Sequence, residues 1–174
     1  MSTSVWGPPI WIFFHSLAEK LKDDKFEKIG PQIFYFIKRI CSNLPCPDCT
    51  QHAKFFLSKI NFSLIKNKEA FKQMLCLFHN VVNQRKKLPI FLPQNLTEKY
   101  SNVNILEAFN NFVRVYHTRG NMKMLADALP RKLVLIDLKK WLVENIRAFH
   151  PPYTLLEKVE QNPNNLEKVE QNQN

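Results

Sequence analysis

The sequence predicts an all-α protein, on three observations. Only 3 of its 174 residues are Gly, against 14 Phe. Little of it alternates Val and Thr in the two-residue rhythm of a strand, and its apolar residues recur every three to four positions. With 45% hydrophobic and 12% aromatic residues, the chain can bury one sizeable core and leaves little room for a second.

Taken in order, Pro8 and Pro9 open a predicted helix over residues 9 to 22, in which Ile10, Phe13, Phe14, Leu17 and Leu21 make one apolar stripe. Lys22 to Lys25 is a polar turn. Gly30-Pro31 starts a second helix through Ile33, Phe34, Ile37 and Ile40, which ends near Asn43, ahead of Pro45. A third begins at Cys46 and Cys49, tolerates Pro47 in its first turn, and carries Phe55, Phe56 and Ile60. The fourth, about 67 to 86, buries Phe71, Met74, Leu75, Phe78 and Val82. These four read as one antiparallel four-helix bundle.

Pro89 and Pro93 interrupt the pattern, and helical periodicity returns over 101 to 118 and 131 to 149. The expected organisation is therefore a bundle over 1–93, a helical extension of unknown role over 94–150, and a polar tail over 151–174. In that tail Leu156 to Asn162 recurs as Leu166 to Asn172, too poor in apolar residues to hold a core, so disorder is expected there.

The net charge of +10 would suit a polyanion or a phosphate-bearing cofactor, but it is diffuse. Its densest block is Arg85-Lys86-Lys87, too short for a nucleic-acid arm. No apolar run approaches the roughly 18 to 20 residues of a membrane span. Residues 5 to 14 are apolar, but Pro8-Pro9 interrupts them, no Lys or Arg precedes them and no small-residue cleavage site follows. A soluble, leaderless protein is expected, and in such a chain four cysteines are not a disulfide framework.

The chemistry-bearing residues fall in three segments. In Pro45-Cys46-Pro47-Asp48-Cys49-Thr50-Gln51-His52, two thiols on one helical turn can close a disulfide and reopen it, or can bind metal. The second thiol is expected at a helix N-terminus, where unpaired N–H groups favour a nucleophilic thiolate. On the fourth helix Cys76, His79, Asn80 and Asn83 are spaced i, i+3, i+4, i+7. They form a polar, uncharged stripe that either faces solvent or suits a planar heterocycle with many polar edge atoms, such as an isoalloxazine ring. Arg85, Lys86 and Lys87 at the end of that helix are placed to neutralise a pyrophosphate. In the first helix Trp11 and His15 share a face, one turn apart, as core or as part of a cofactor site.

The combined pattern Gly7-x-x-x-Trp11-x-x-x-His15, Pro45-Cys46-x-x-Cys49-x-x-His52 and Cys76-x-x-His79-Asn80-x-Val82-Asn83 resembles the Erv/ALR family of FAD-linked sulfhydryl oxidases in content, order and spacing. The resemblance covers about residues 5 to 90. It implies a bundle of four helices plus a short fifth that binds FAD and pairs as a homodimer. Cys46 and Cys49 would be the catalytic pair, with Cys49 next to the flavin and Cys46 exchanging with substrate. Gly7, Trp11, His15, Cys49, His52, His79, Asn80, Val82, Asn83, Arg85, Lys86 and Lys87 would bind the cofactor, with Trp11 and His15 on its adenine side. Protein thiols would be oxidised at Cys46, and their electrons would pass through Cys49 to FAD and then to O2, giving hydrogen peroxide.

The chain departs from that pattern in three places. No cysteine follows Cys76, so the disulfide usual at that position is missing, and Cys76 is either a free thiol, the preferred reading, or bonded to Cys41. A separate shuttle C-x-C or C-x-x-C is absent. Leu88 stands before Pro89 where the family has a phosphate-contacting Lys, so Arg85, Lys86 or Lys87 must replace that contact or it is lost. Such minimal members resemble those of large DNA viruses. That implies a viral source, a place in the host cytoplasm or the virion, and a thioredoxin-like relay partner. The rival is a zinc-binding nucleic-acid module with a Cys3His site built from Cys46, Cys49, Cys76 and His79, which explains the thiols but not Trp11, His15, Asn80 or Asn83.

Overall fold

The computed structural model describes residues 3–116 and 122–151. Among them are seven α-helices: α1 (Thr3–Lys20), α2 (Phe26–Cys41), α3 (Pro47–Ser58), α4 (Lys68–Arg85), α5 (Leu96–Tyr100), α6 (Ile105–Tyr116) and α7 (Met122–Asn145). The described residues contain no strand, only one antiparallel bridge from Leu21 to Phe149, which ties the end of α7's following turn to the end of α1. None of these helices is long and apolar enough to cross a membrane. The expected tail lies outside the described residues from 152 onward, as do residues 117 and 118 of the periodic stretch 101 to 118.

Three helix starts differ from expectation, each at a proline; one is α7, expected from 131, which begins at Met122 and runs through Pro130. α1 begins at Thr3 and runs through Pro8 and Pro9, and α2 begins at Phe26 and runs through Pro31. An interior proline loses a backbone hydrogen bond and costs about 3 kcal/mol. Burial offsets that in α1 and α2, because Trp6 lies one turn before Ile10, and Ile29 and Phe26 lie one and two turns before Ile33. Gly30 has its own steric reason: a Cβ there would come within 2.8 Å of the Phe26 ring. Asn67 starts α4 by accepting the Ala70 N–H at 2.8 Å.

The extension and the bundle share one core. α1 packs more extensively on α6 than on any other element, with Phe13 stacked on Phe112 at 5.1 Å, while α7 lies on α2 with Trp141 against Phe36 at 5.2 Å. The Tyr116 hydroxyl donates to the Ile40 carbonyl, 3.0 Å away and buried. A buried ion pair of Lys72 with Glu19 at 2.8 Å, extended by a bond from Lys72 to Thr97, joins α4 to α1 and to α5. α5 is thereby held against α1, where it completes the site described below.

Phe112 is fully buried in this shared core. Phe112→Ala is expected to lower unfolding free energy by about 3–5 kcal/mol, the range for emptying a buried aromatic site. Urea denaturation followed by circular dichroism checks this; a loss under about 1 kcal/mol would mean that α6 is not integral to the core.

Candidate functional site

Cys46 is the N-cap of α3, held in extended conformation with Pro47 at the first helical position. It forms a disulfide with Cys49, their Cα atoms 5.2 Å apart. The Cys49 N–H donates to Cys46 Sγ at 3.2 Å. Cys49 lies in the first turn of α3, as expected, but its own N–H serves Cys46, because a donor at the third helical position points back at the capping side chain. Both sulfurs are half-buried, but only Cys49 reaches a cavity wall.

That inner cavity, about 60 Å³, is enclosed by Trp6, Ile10, Phe14, Cys41, Leu44, Ala53 and Phe78 together with Cys49, His52 and Arg85. A larger one, about 610 Å³, lies between α1, α4 and α5, walled by Ser4, Pro8, Ile12, His79, Asn83, Leu88, Lys99 and Tyr100. Gly7, Trp11, Val82 and Lys86 line both, so the two cavities adjoin across these four residues, with Cys49 on the wall of the inner one. A Cβ on Gly7 would meet nothing within 4 Å.

An aromatic stack holds this wall in place. Trp11 lies face to face on His79, centroids 4.1 Å apart, and His15 lies on Tyr100 at 4.8 Å. The two histidines meet through His15 Nε2 and His79 Nδ1 at 3.1 Å. Burial, then the neighbouring His79 and Lys99, hold the His15 pKa down at about 3. Burial, then Lys99 and Lys86, hold that of His79 at about 4. Both rings are thus neutral at physiological pH, so one ring nitrogen can donate to the unprotonated nitrogen of the other.

The expected site residues take unequal parts. Gly7, Trp11, Cys49, His52, His79, Val82, Asn83, Arg85 and Lys86 are wall residues. His15, buried, is not; it sits behind His79 and orients it. Asn80 turns away from the cavity, accepting the Phe91 N–H at 2.9 Å and donating to the Phe91 carbonyl at 2.8 Å, so it fixes the segment after α4. Asn83 also braces that segment through Pro89 O at 2.9 Å. Of the basic trio, Lys86 lines both cavities and Arg85 the inner one, while Lys87 lies on neither wall and has a positive φ of 55° past the end of α4.

The sequence reading missed Lys99 and Tyr100, which α5 brings to the outer wall beside Leu88. A five-residue helix has no periodicity to reveal its inward face. Lys99 brings a second cation, after Lys86, to the wall beside Leu88. Trp6 was also missed, although it adjoins Gly7; its Nε1 is buried without a hydrogen-bond partner among the described residues, a donor that faces no acceptor of the chain. Partial burial and the adjacent Arg85 pull the Lys86 pKa down. The walls thus offer aromatic faces, an unused donor and cations that favour an anion, the chemistry of a planar group with a phosphate linker.

Cys41 and Cys76 are free and buried, and burial pushes both thiols up, away from the thiolate form. Cys76 faces the Phe91 carbonyl at 3.6 Å. The Cys3His set is not assembled: Cys46 and Cys49 are bonded to each other, and no group of three metal-ligating side chains occurs among the described residues.

The lowered histidine pKa values set a pH dependence. Above pH 6.5 neither the folded nor the unfolded state protonates them; between 6.5 and about 4 only the unfolded state does. Their contribution to stability is therefore complete above pH 6.5 and is lost as pH falls, by up to ~1.4 kcal/mol per pH unit for each ring. His15→Gln is expected to flatten the slope of unfolding free energy between pH 6.5 and 4.5, measured by denaturant titration; an unchanged slope would refute the neutral pair.

Residues 8–102 match the Erv1 / Alr family. A protein of Invertebrate iridescent virus 6, named provisionally as an FAD-linked sulfhydryl oxidase, is 31% identical over 101 residues, covering 55% of this chain and 90% of its own length. The FAD-linked sulfhydryl oxidase of an African swine fever virus isolate is 34% identical over 80 residues, covering 46% of this chain and 66% of its own. FAD-linked sulfhydryl oxidase ERV1 of Oryza sativa subsp. japonica is 28% identical over 101 residues, 58% of this chain and 52% of its own. No solved structure matches the chain. The matched stretch takes in α1 from Pro8 onward, the Cys46–Cys49 disulfide, His79 and the Lys99–Tyr100 pair, and the chain belongs to the Erv1 / Alr family.

Proposed function

We propose that this chain is an FAD-linked sulfhydryl oxidase that forms disulfides in protein thiols. The observation that carries the reading is the disulfide whose inner sulfur, Cys49, lines the small cavity that shares Gly7, Trp11, Val82 and Lys86 with the 610 Å³ cavity. The residues present fit FAD: Trp11 and His79 offer aromatic faces, Lys86 and Lys99 would hold the pyrophosphate, and the orphaned Trp6 Nε1 is a donor beside the inner cavity. What FAD supplies when bound is a two-electron acceptor that passes the dithiol's electron pair on to O2 as hydrogen peroxide.

The chain's own residues perform the exchange. A substrate thiolate attacks Cys46 Sγ, the sulfur away from the cavity wall; a mixed disulfide forms and Cys49 leaves as thiolate on the inner wall. A second substrate thiolate then displaces Cys46, releasing the substrate disulfide. The departing Cys46 thiolate accepts the Cys49 N–H at the N-terminus of α3, which makes it the better leaving group. The neutral His15–His79 pair adds no cation to a wall that already carries Lys86 and Lys99. With no second shuttle pair in the sequence, the thiol donor reaches Cys46 directly, and a thioredoxin-like relay protein suits that role. The viral relatives support the host cytoplasm or the virion as its place of action, and the family resemblance supports pairing of two copies.

Cys49→Ser is expected to abolish oxygen consumption with dithiothreitol while the purified protein stays yellow; full activity in that variant, or a wild-type protein that retains no FAD, would refute the assignment. Lys99→Met is expected to raise the FAD dissociation constant about tenfold, as loss of one charge-assisted contact of ~1.4 kcal/mol does. Fluorescence titration of the apoprotein checks this, and unchanged affinity would remove Lys99 from the site.

A further inference from the structure

Helix α7 has two apolar faces. One, with Val134, Leu135, Leu138, Trp141 and Leu142, is buried against the bundle. On the opposite side, about 180° around at 100° per residue, Leu129, Leu133, Ile136 and Val143 are 58%, 51%, 54% and 59% exposed. A single exposed Leu needs no explanation, but these four recur at spacings of four, three and seven. They occupy the d, a, d and d positions of successive heptads, with Lys140 at the remaining a.

The charges beside this stripe select its occupant. The g positions are Lys132 and Lys139; the e positions after them are Asp137 and Glu144. In a parallel pair of α7 helices each g residue meets the e residue five positions later on the other helix, so Lys132 meets Asp137 and Lys139 meets Glu144, on both sides of the seam. An antiparallel pair would set lysines against lysines and carboxylates against carboxylates. Lys132, Lys139 and Glu144 enter no ion pair among the described residues, while Asp137 already accepts from Arg39 at 2.7 Å, a bond that a two-oxygen carboxylate can share.

We infer that the outer face of α7 is the contact between two copies of this chain, paired in parallel about a twofold axis. The stripe lies beyond residues 8–102, so this contact is separate from the part of the chain that the family spans, and it does not depend on the oxidase reading. Leu133 at a with Ile136 at d would by themselves favour more than two strands; Lys140 faces its own counterpart across the axis, a polar a-layer that specifies two strands instead, at a cost in stability.

The test is sedimentation equilibrium on the full chain across a concentration series. Leu133→Glu/Ile136→Glu is expected to halve the molar mass with unchanged circular dichroism. Lys139→Glu should raise the dissociation constant about tenfold through two like-charge contacts. Adding Glu144→Lys should restore it, and Lys140→Leu should tighten it. Equal mass for wild type and the double glutamate variant, whether as monomer or as a dimer held elsewhere, would overturn the proposal. Tighter association in Lys139→Glu would overturn the parallel arrangement.

Discussion

Trp11 on His79 is the contact on which the site depends. Its 4.1 Å stack joins α1 to α4 where the two cavities meet, and Trp11 is a wall of both. The stack is fixed from behind: His15 hydrogen-bonds to His79 and lies on Tyr100, so α1, α4 and α5 are bound through four rings. Each ring has few rotatable bonds, and the position of the wall is therefore settled by packing at little entropic cost.

The same arrangement sets the electrostatics. Burial keeps both histidines neutral, and the cations nearest them, Lys86 and Lys99, stand on the outer wall with no carboxylate among its lining residues. The acidic side chains that approach this region serve other ends, as Glu19 does by pairing with Lys72 deeper between α1 and α4. In the adjoining inner cavity the polarity changes. The inner cavity is apolar around Cys49, and the buried thiols of Cys41 and Cys76 are raised away from ionisation. The reactive disulfide is thus distinguished from two inert thiols by its position on a capped helix N-terminus, where a leaving thiolate finds an N–H donor.

Much of this was legible in the sequence. The helices announced themselves because 3.6-residue periodicity is local, and the disulfide because three residues along a helix bring two sulfurs into reach. The helix starts were misplaced at Pro8-Pro9 and Pro31, where tertiary burial of Trp6, Phe26 and Ile29 overrides proline's intrinsic cost. Within the polar stripe of α4, spacing alone could not say that His79 faces the cavity while Asn80 turns to Phe91.

By itself, then, the sequence determined the all-α class, the closely spaced Cys46–Cys49 pair and the three motifs that carry the family resemblance, because each rests on residues within a turn or two of one another. Only the tertiary structure decided that His15 stands behind the wall, that Lys99 and Tyr100 complete it in place of a lysine at Leu88, and that α6 and α7 share the bundle's core. Those outcomes join residues as distant in sequence as His15 and His79, or Ile40 and Tyr116. Such pairs are set by how amphipathic faces bury one another, and no local pattern encodes which faces will meet.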